Sequence, residues 1–485
     1  MVNPQGCSQA ITRCAFFLLT SLLLSAVANA EPSIALSKKS GPPTSRILVS
    51  GRGFEANVGV DIFFDTKNKA LVVTNGKGEF HDAAINAPRS AHPGEHWVTA
   101  LERNNDTGAR APFLVRTNWQ QFQFDNDHSS VNPFENVISR MNVASLTQKW
   151  VYTSGEGLVF STPTVANGIA YVTAIGLYAV DTKTGALLWS FEAGSQTFFC
   201  SPAVVDGVLY VASPDGYFYA LNADTGAVIW KVLGTSYNGD TAPAVSSGIV
   251  YYGGNQTIYA VNAKTGKVVW TYPTGSYTRS APAVVDGIVY AGSNDGNLYA
   301  LDARKGTLVW RAAIGLIDNS SPAVAEGAVF VGAYGGTFYA LDASTGATLW
   351  SFPTTQNLES SPLVNNGLVY VLSDESNLYA LNASNGNVVW KYALGGNSFN
   401  LLSLALANNV LYLGYNSLYA FDPTSGKLLW NSPALGFGSP IVADGVVYPS
   451  SFGGLAAFSL SRGARRGIKV VFSSRGEAAS TAPSP

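Results

Sequence analysis

Eight tryptophans, Trp150, Trp189, Trp230, Trp270, Trp310, Trp350, Trp390 and Trp430, are spaced by 39, 41 and then five times 40 residues. A period near 40 with four strand-sized segments per unit predicts a β-propeller, in which each repeat is one blade that buries its faces only against its neighbours. Residues 201–232, SPAVVDGVLYVASPDGYFYALNADTGAVIWKV, show one unit. Asp206-Gly207, Pro214-Asp215-Gly216 and Asp224-Thr225-Gly226 separate four short runs of Val, Leu, Ile, Tyr, Phe and Trp with partial alternation, the pattern of four strands joined by hairpins. Glycine supplies the positive φ that a tight hairpin needs, and the preceding Asp, Asn or Thr can cap backbone amides locally.

The blade count follows from how the repeat ends. First strands are marked by Pro163, Pro202, Pro243, Pro282, Pro322, Pro362 and Pro440, with Leu404 at the equivalent position of one unit. Third strands recur as LYAV, FYAL, IYAV, LYAL, FYAL, LYAL, LYAF and, at Leu455 to Phe458, LAAF. The last unit lacks a fourth strand bearing Trp, while an orphan strand at residues 146–152, containing Trp150, precedes the first unit. The chain is therefore expected to be all-β, with an eight-bladed propeller over residues 146–460 whose ring is closed by strand 146–152, leaving no open edge between first and last blades.

The element Ala179-x-Asp181-x-x-Thr184-Gly185-x-x-x-Trp189, repeated at Ala220, Asn222, Thr225, Gly226 and Trp230, resembles the tryptophan-docking motif of the PQQ-like repeat. That family contains eight-bladed quinoprotein dehydrogenases and outer-membrane assembly lipoproteins of the BamB type, and the resemblance covers roughly residues 119–460. It implies that all eight tryptophans pack between adjacent blades as structural residues. The dehydrogenases of this family hold PQQ and calcium, build their sites with insertions between strands and often place a disulfide between adjacent cysteines over the cofactor. Here the blades are almost uniform in length and no adjacent cysteines occur.

Residues 1–30 read as a secretory signal peptide, with Arg13, an apolar run from Ala15 to Leu24 and the small-x-small site Ala28-Asn29-Ala30. The chain is thus expected to be secreted, periplasmic or extracellular, with no transmembrane segment. No cysteine follows the cleavage site to carry a lipid anchor, and Cys200 alone remains in the mature chain, where a buried small hydrophobe is expected. Residues 31–117 carry short strand-like runs divided by turn clusters, which fits a small β-sandwich. The run Val49 to Phe54 with Gly78-Glu-Phe80 and Pro93-Gly94 is similar to bacterial immunoglobulin-like modules of the IPT type. Residues 118–145 resemble the lead-in that precedes the first blade in PQQ-like proteins, and 461–485 are read as a flexible tail.

Charged residues make up only 12% of the chain and the net charge is −2. No basic face exists to hold phosphates, so nucleic acid is not the expected partner. The four histidines, His81, His92, His96 and His128, all precede the propeller, which must do without the side chain best suited to acid–base work at neutral pH. His92-x3-His96 has a metal-like spacing, but Pro93-Gly94 prevents the helix that would join the rings, and no metal site is expected. Most carboxylates fall in hairpin turns; Glu156, Glu192, Asp240, Asp318 and Glu359 do not.

Three residues before each first-strand proline stand Phe160, Phe199, Asp240, Arg279, Asn319, Glu359, Leu401 and Phe437. These positions should rim the central funnel, apolar in blades seven, eight, one and two and polar in blades three to six, as an amphipathic ligand would select. The expected function is a non-catalytic, monomeric scaffold that binds a protein or glycan in the cell envelope or outside the cell, with no cofactor and no catalytic residue. Two enzymatic alternatives are a PQQ- and calcium-dependent dehydrogenase using Asp240, Asp318 or Glu359 as base or calcium ligand, and a propeller-type polysaccharide-active enzyme.

Overall fold

Each 40-residue unit folds as an antiparallel four-stranded meander. In blade 1 the strands are Thr164–Ala166, Ile169–Thr173, Leu177–Asp181 and Leu187–Phe191. The structure, a computed structural model, describes residues 31–461 except 106, 156–160, 194–196, 235–240, 396–401, 433–436 and 452–453, together with the side chain of Phe437. Residues 1–30, read from the sequence as a signal peptide, nearly all of the tail, Phe160, Asp240, Leu401 and Glu156 lie outside the described residues. Among those described, eight such sheets form, the first strands of blades 2 to 7 being Ala203–Val205, Ala244–Ser246, Ala283–Val285, Ala323–Ala325, Leu363–Asn365 and Ala405–Ala407. Blade 8 is built from both ends of the ring. Its strands Phe437–Ala443, Val446–Ser451 and Gly454–Leu460 are completed by Leu146–Thr153, paired from Leu146 opposite Leu460 to Thr153 opposite Gly454.

Burial falls from the first strand to the fourth. Blade 1 buries all of Thr164–Ala166, whereas its outermost strand is half exposed. First strands are therefore innermost, and side chains two residues apart on the outer strands face solvent. The hairpin after each first strand turns through two residues with positive φ, as at Asp206 (51°) and Gly207 (77°), which matches the right-handed twist of the strands. In blade 7 the same turn is Asn408 (46°) and Asn409 (58°), the residue type that tolerates this region best after glycine.

The Trp period has a reciprocal cause. Trp310 of blade 4 donates its indole N–H to the Ala343 carbonyl in the corner of blade 5 (2.9 Å), and its ring covers Gly346, where a Cβ would stand 2.6 Å away. Gly346 is also at φ +73°. The same docking is made by Trp150 on Gly185, Trp189 on Gly226, Trp230 on Gly266, Trp270 on Gly306, Trp350 on Gly386 and Trp390 on Gly426. Each of these indoles also donates to a carbonyl of the next blade's corner, Trp270 to Ala303 (2.9 Å) and Trp350 to Ala383 (2.8 Å) among them. Trp150, in the closing strand, thereby docks blade 8 on blade 1. The eighth tryptophan also packs against the adjacent blade, but through a different contact. Trp430 meets Phe458 of blade 8 edge-on instead, because the corner of that blade is replaced by the two chain ends. The corners are capped as their sequence requires: Asp342 Oδ1 accepts from the amides of Ser344 and Thr345 and from the Thr345 hydroxyl.

The chain divides into two compact units, one of Leu48–Ala84 and Val98–Ala111 with the stretch ending at Leu36, the other of Ser37–Ile47, Ile85–Trp97 and everything from Pro112 onward. In the first unit Ser33–Leu36 pairs antiparallel with Val49–Arg52, and Gly59–Phe64 with Lys67–Val73. Alternate residues Val60, Ile62 and Phe64 are fully buried with Val49 and Val98, the one-sided pattern of a sandwich strand. Cys200 is buried in the propeller with its Sγ 3.1 Å from the Ala212 carbonyl, and no helix among the described residues is long and apolar enough to cross a membrane.

Candidate functional site

The first strands of a propeller present backbone groups toward the channel, and these need partners. Residues 119–132 of the lead-in supply them, blade by blade, and so plug the channel. Trp119 exchanges two backbone hydrogen bonds with Val165 of blade 1, the Gln120 carbonyl accepts from Val204 of blade 2, and the Gln121 side chain accepts from Val245 of blade 3. Carbonyls of Asn126 and Asp127 accept from Val284 and Val324 of blades 4 and 5, and the Gln123 amide reaches the Pro362 carbonyl of blade 6. The Ser130 carbonyl accepts from Leu406 of blade 7, Val131–Asn132 pairs in parallel with that strand, and Asn132 Nδ2 donates to the Val442 carbonyl of blade 8 (2.8 Å). The turns of this segment place Gln123, Phe124, His128 and Ser130 at positive φ.

Except in blade 6, where Gln123 meets the carbonyl of Pro362 itself, the plug meets the first strands two residues after the proline position, and a cavity of about 220 Å³ lies on the other side of it, lined by Phe122 and by residues one to three before that proline. Phe122 lines it from the plug, its ring edge-on to His128 at 5.4 Å. His128 is fully buried, bonds the Pro322 carbonyl through Nδ1 (2.9 Å), and burial pushes its pKa down to about 4. The wall beside Phe122 is hydroxyl-rich. Ser201, Ser321 and Ser361 each accept a backbone N–H from the preceding blade, from Thr162, Ala281 and Ser321 respectively, which stitches neighbouring blades around the cavity.

Of the residues expected at the rim, Phe199, Arg279, Asn319 and Glu359 line this one cavity. Phe160 and Asp240 are outside the described residues, as is the side chain of Phe437. Arg279 Nη1 lies 3.2 Å from Asp318 Oδ1, which also accepts from Asn294 Nδ2 (2.8 Å). Asn319 Nδ2 reaches both Asp318 Oδ2 (3.2 Å) and Glu359 Oε2 (3.4 Å). The Glu359 carboxyl is held above the usual range, first by burial and then by the like charges of Asp374 and Asp318, against the opposing pull of Asn319 and Arg279. Asn294 and Asp374 were assignable from sequence only to hairpin turns; the fold brings both to this cluster. Phe122 has no signal in the repeat, because it belongs to a segment without a period.

Other acidic and imidazole groups are already engaged. Glu135, buried on the far side of the plug, accepts from the amides of Val137, Ile138 and Gly445 and from the Thr117 hydroxyl. His96 Nε2 bonds the carbonyl of His92, whose own Nδ1 meets the Asn136 side chain, so the two rings turn to different partners.

The fold and its internal repeat define an eight-bladed propeller of the PQQ-like class. The sequence matches the family of outer membrane protein assembly factor BamB over residues 119–253, 233–316 and 294–482, and the chain belongs to that family. Among solved structures, BamB from Moraxella catarrhalis is similar at 20% identity with a TM-score of 0.54, covering 65% of this chain and 98% of that one. Quinohemoprotein alcohol dehydrogenase from Comamonas testosteroni is similar at 16% identity with a TM-score of 0.59, covering 70% and 80%. The computationally designed Ika8 protein is similar at 18% identity with a TM-score of 0.56, covering 65% and 100%. At these identities the likeness is one of fold, which an assembly factor, a dehydrogenase and a designed protein share. No curated protein matches the sequence.

Proposed function

We propose that this chain is an exported, non-catalytic recognition scaffold that holds a partner at the mouth of a one-ended funnel, in the cell envelope or outside the cell. The observation that carries the reading is the seal. Residues 119–132 touch all eight innermost strands, so a ligand reaches Phe122 from the side of Phe199, Arg279, Asn319 and Glu359. Membership of an assembly-factor family supports a protein partner over a glycan. Residues 31–117 then serve as an immunoglobulin-like spacer or adhesive module.

The rival reading is a PQQ- and calcium-dependent dehydrogenase, favoured by oxygen donors of Asp318, Asn319 and Glu359 gathered in a propeller funnel. PQQ is a tricarboxylate. The described lining offers it one cation, Arg279, which already faces Asp318, and a second carboxylate, Glu359, so these residues do not fit the quinone. The test is titration of the purified protein with PQQ and calcium chloride by calorimetry and thermal shift. No saturable heat and an unchanged melting temperature are expected; micromolar binding lost in Asp318→Asn or Glu359→Gln overturns the reading, because a ligand of the folded state must raise its melting temperature.

A further inference from the structure

Charge is divided unevenly around the funnel. Among the described residues, Asp318 and Asp374 both raise the Glu359 carboxyl there, against one guanidinium, that of Arg279. Of the three carboxylates Glu359 lines the cavity, and the Asn319 NH2 group bridges it to Asp318, which stands behind the lining. Apolar and aromatic surface stands beside the charge: Phe122 lines the cavity, Phe199 is 38% exposed, and Tyr277, 43% exposed, has its ring centre 6.0 Å from the Arg279 guanidinium carbon. At about 220 Å³ the cavity is smaller than the roughly 300–1,000 Å³ of drug-sized ligand sites, and suits one long side chain better than a rigid polycycle.

The geometry points to an organic cation as the funnel's ligand: an alkylammonium or guanidinium group, carried by a lysine or arginine of an extended polypeptide, seated against the Glu359 carboxyl, where Asp318 adds its charge from behind, with its apolar stem against Phe199. This rests on the recognition reading above and names the chemistry recognised. An anion would meet the excess negative charge with Arg279 already engaged, and a neutral polyol would leave that charge uncompensated. A hard metal ion wants six to eight oxygens, whereas the oxygens of Asp318 are taken by N–H donors of Arg279, Asn294 and Asn319. Cations also gain from aromatic faces at the mouth. Burial and the charges of Asp374 and Asp318 favour the protonated form of Glu359, with Arg279 and Asn319 opposing; a bound cation reverses that preference, so binding releases a proton and strengthens as pH rises through the Glu359 titration.

The test is calorimetric titration of the full-length mature protein with acetyl-arginine amide, with the peptide Gly-Phe-Arg-Leu-Gly, with its Glu counterpart Gly-Phe-Glu-Leu-Gly, and with calcium chloride. The arginine peptide is expected to bind at least about tenfold more tightly than the Glu peptide, and Glu359→Gln or Asp318→Asn to weaken it about tenfold or more. Melting temperatures of both variants serve as the control for folding. A peptide tighter than the capped amino acid assigns the cation to polypeptides, and equal affinities assign it to free amines. Equal binding of the Glu peptide, or full affinity in Glu359→Gln, overturns the cation while leaving the recognition reading intact. Calcium binding that is lost in Glu359→Gln, without peptide binding, replaces the inference with a metal site. Silence from every probe sinks the inference, whereas the recognition reading is tested separately, by the PQQ titration and by whether the channel is closed at one end.

Discussion

Trp310 and Gly346 explain each other. The indole needs a flat, side-chain-free corner to cover, and the corner needs a residue that accepts φ +73° without a Cβ against the ring. Trp310→Ala is expected to lose about 3–5 kcal/mol, as for a large buried aromatic, and Gly346→Ala about 1–3 kcal/mol from backbone strain and overlap. The two are predicted to be non-additive, because with the ring gone the new methyl no longer overlaps it; urea unfolding of both single variants and the double variant measures this. His128 gives a second residue-scale prediction. Its folded pKa of about 4 lies below the ordinary value of 6.5, so its contribution is complete above about pH 6.5 and is lost as pH falls toward 4. The shift corresponds to about 3 kcal/mol at most. Asp125, Glu135 and Asp444, raised by burial, act in the opposite sense, contributing stability that is lost as pH rises. The difference between wild type and His128→Gln across this window isolates the imidazole and should show the wild type losing stability faster on acidification.

At the scale of elements, the blades were legible and the plug was not. Blades announce themselves because their turns need particular residues, Asp206-Gly207 and its equivalents, and because each Trp from Trp150 to Trp390 must land one blade on. Trp430 carries the same spacing yet lands on Phe458, since the period records the strand that bears the ring and not the corner that receives it. The rim positions Phe199, Arg279, Asn319 and Glu359 could be found by aligning those blades on their prolines, and they line one cavity. Segment 119–132 binds mostly through its own carbonyls, groups that every residue carries, so its course left no pattern to read. Its side chains do matter where they bridge. Asn132, 1% exposed, donates to Thr117 and Val442 carbonyls and accepts from the Phe134 amide. Asn132→Ala is expected to cost about 1–3 kcal/mol from the buried carbonyls left unmet, read as a lower denaturation midpoint, with no change expected if the segment is a loose linker.

For the whole molecule, the ring holds because its two ends share blade 8 and because the plug ties every innermost strand to one segment. A chain beginning at residue 161 lacks both devices. It should expose the outer edge of Gly454–Leu460 and self-associate on size-exclusion chromatography, and a monomer with the full-length melting temperature would contradict this. The same architecture gives the funnel its single mouth, and the recognition reading depends on it. The most direct measurement is hydrogen–deuterium exchange of the full-length protein, resolved by peptide over residues 119–132 and the first strands. Slow exchange of the Val165, Val204, Val284, Val324 and Leu406 amides, whose acceptors are carbonyls of 119–132, is the predicted result. Exchange of those amides as fast as an unpaired strand edge would mean the channel is open at both ends, and the one-ended funnel would be wrong.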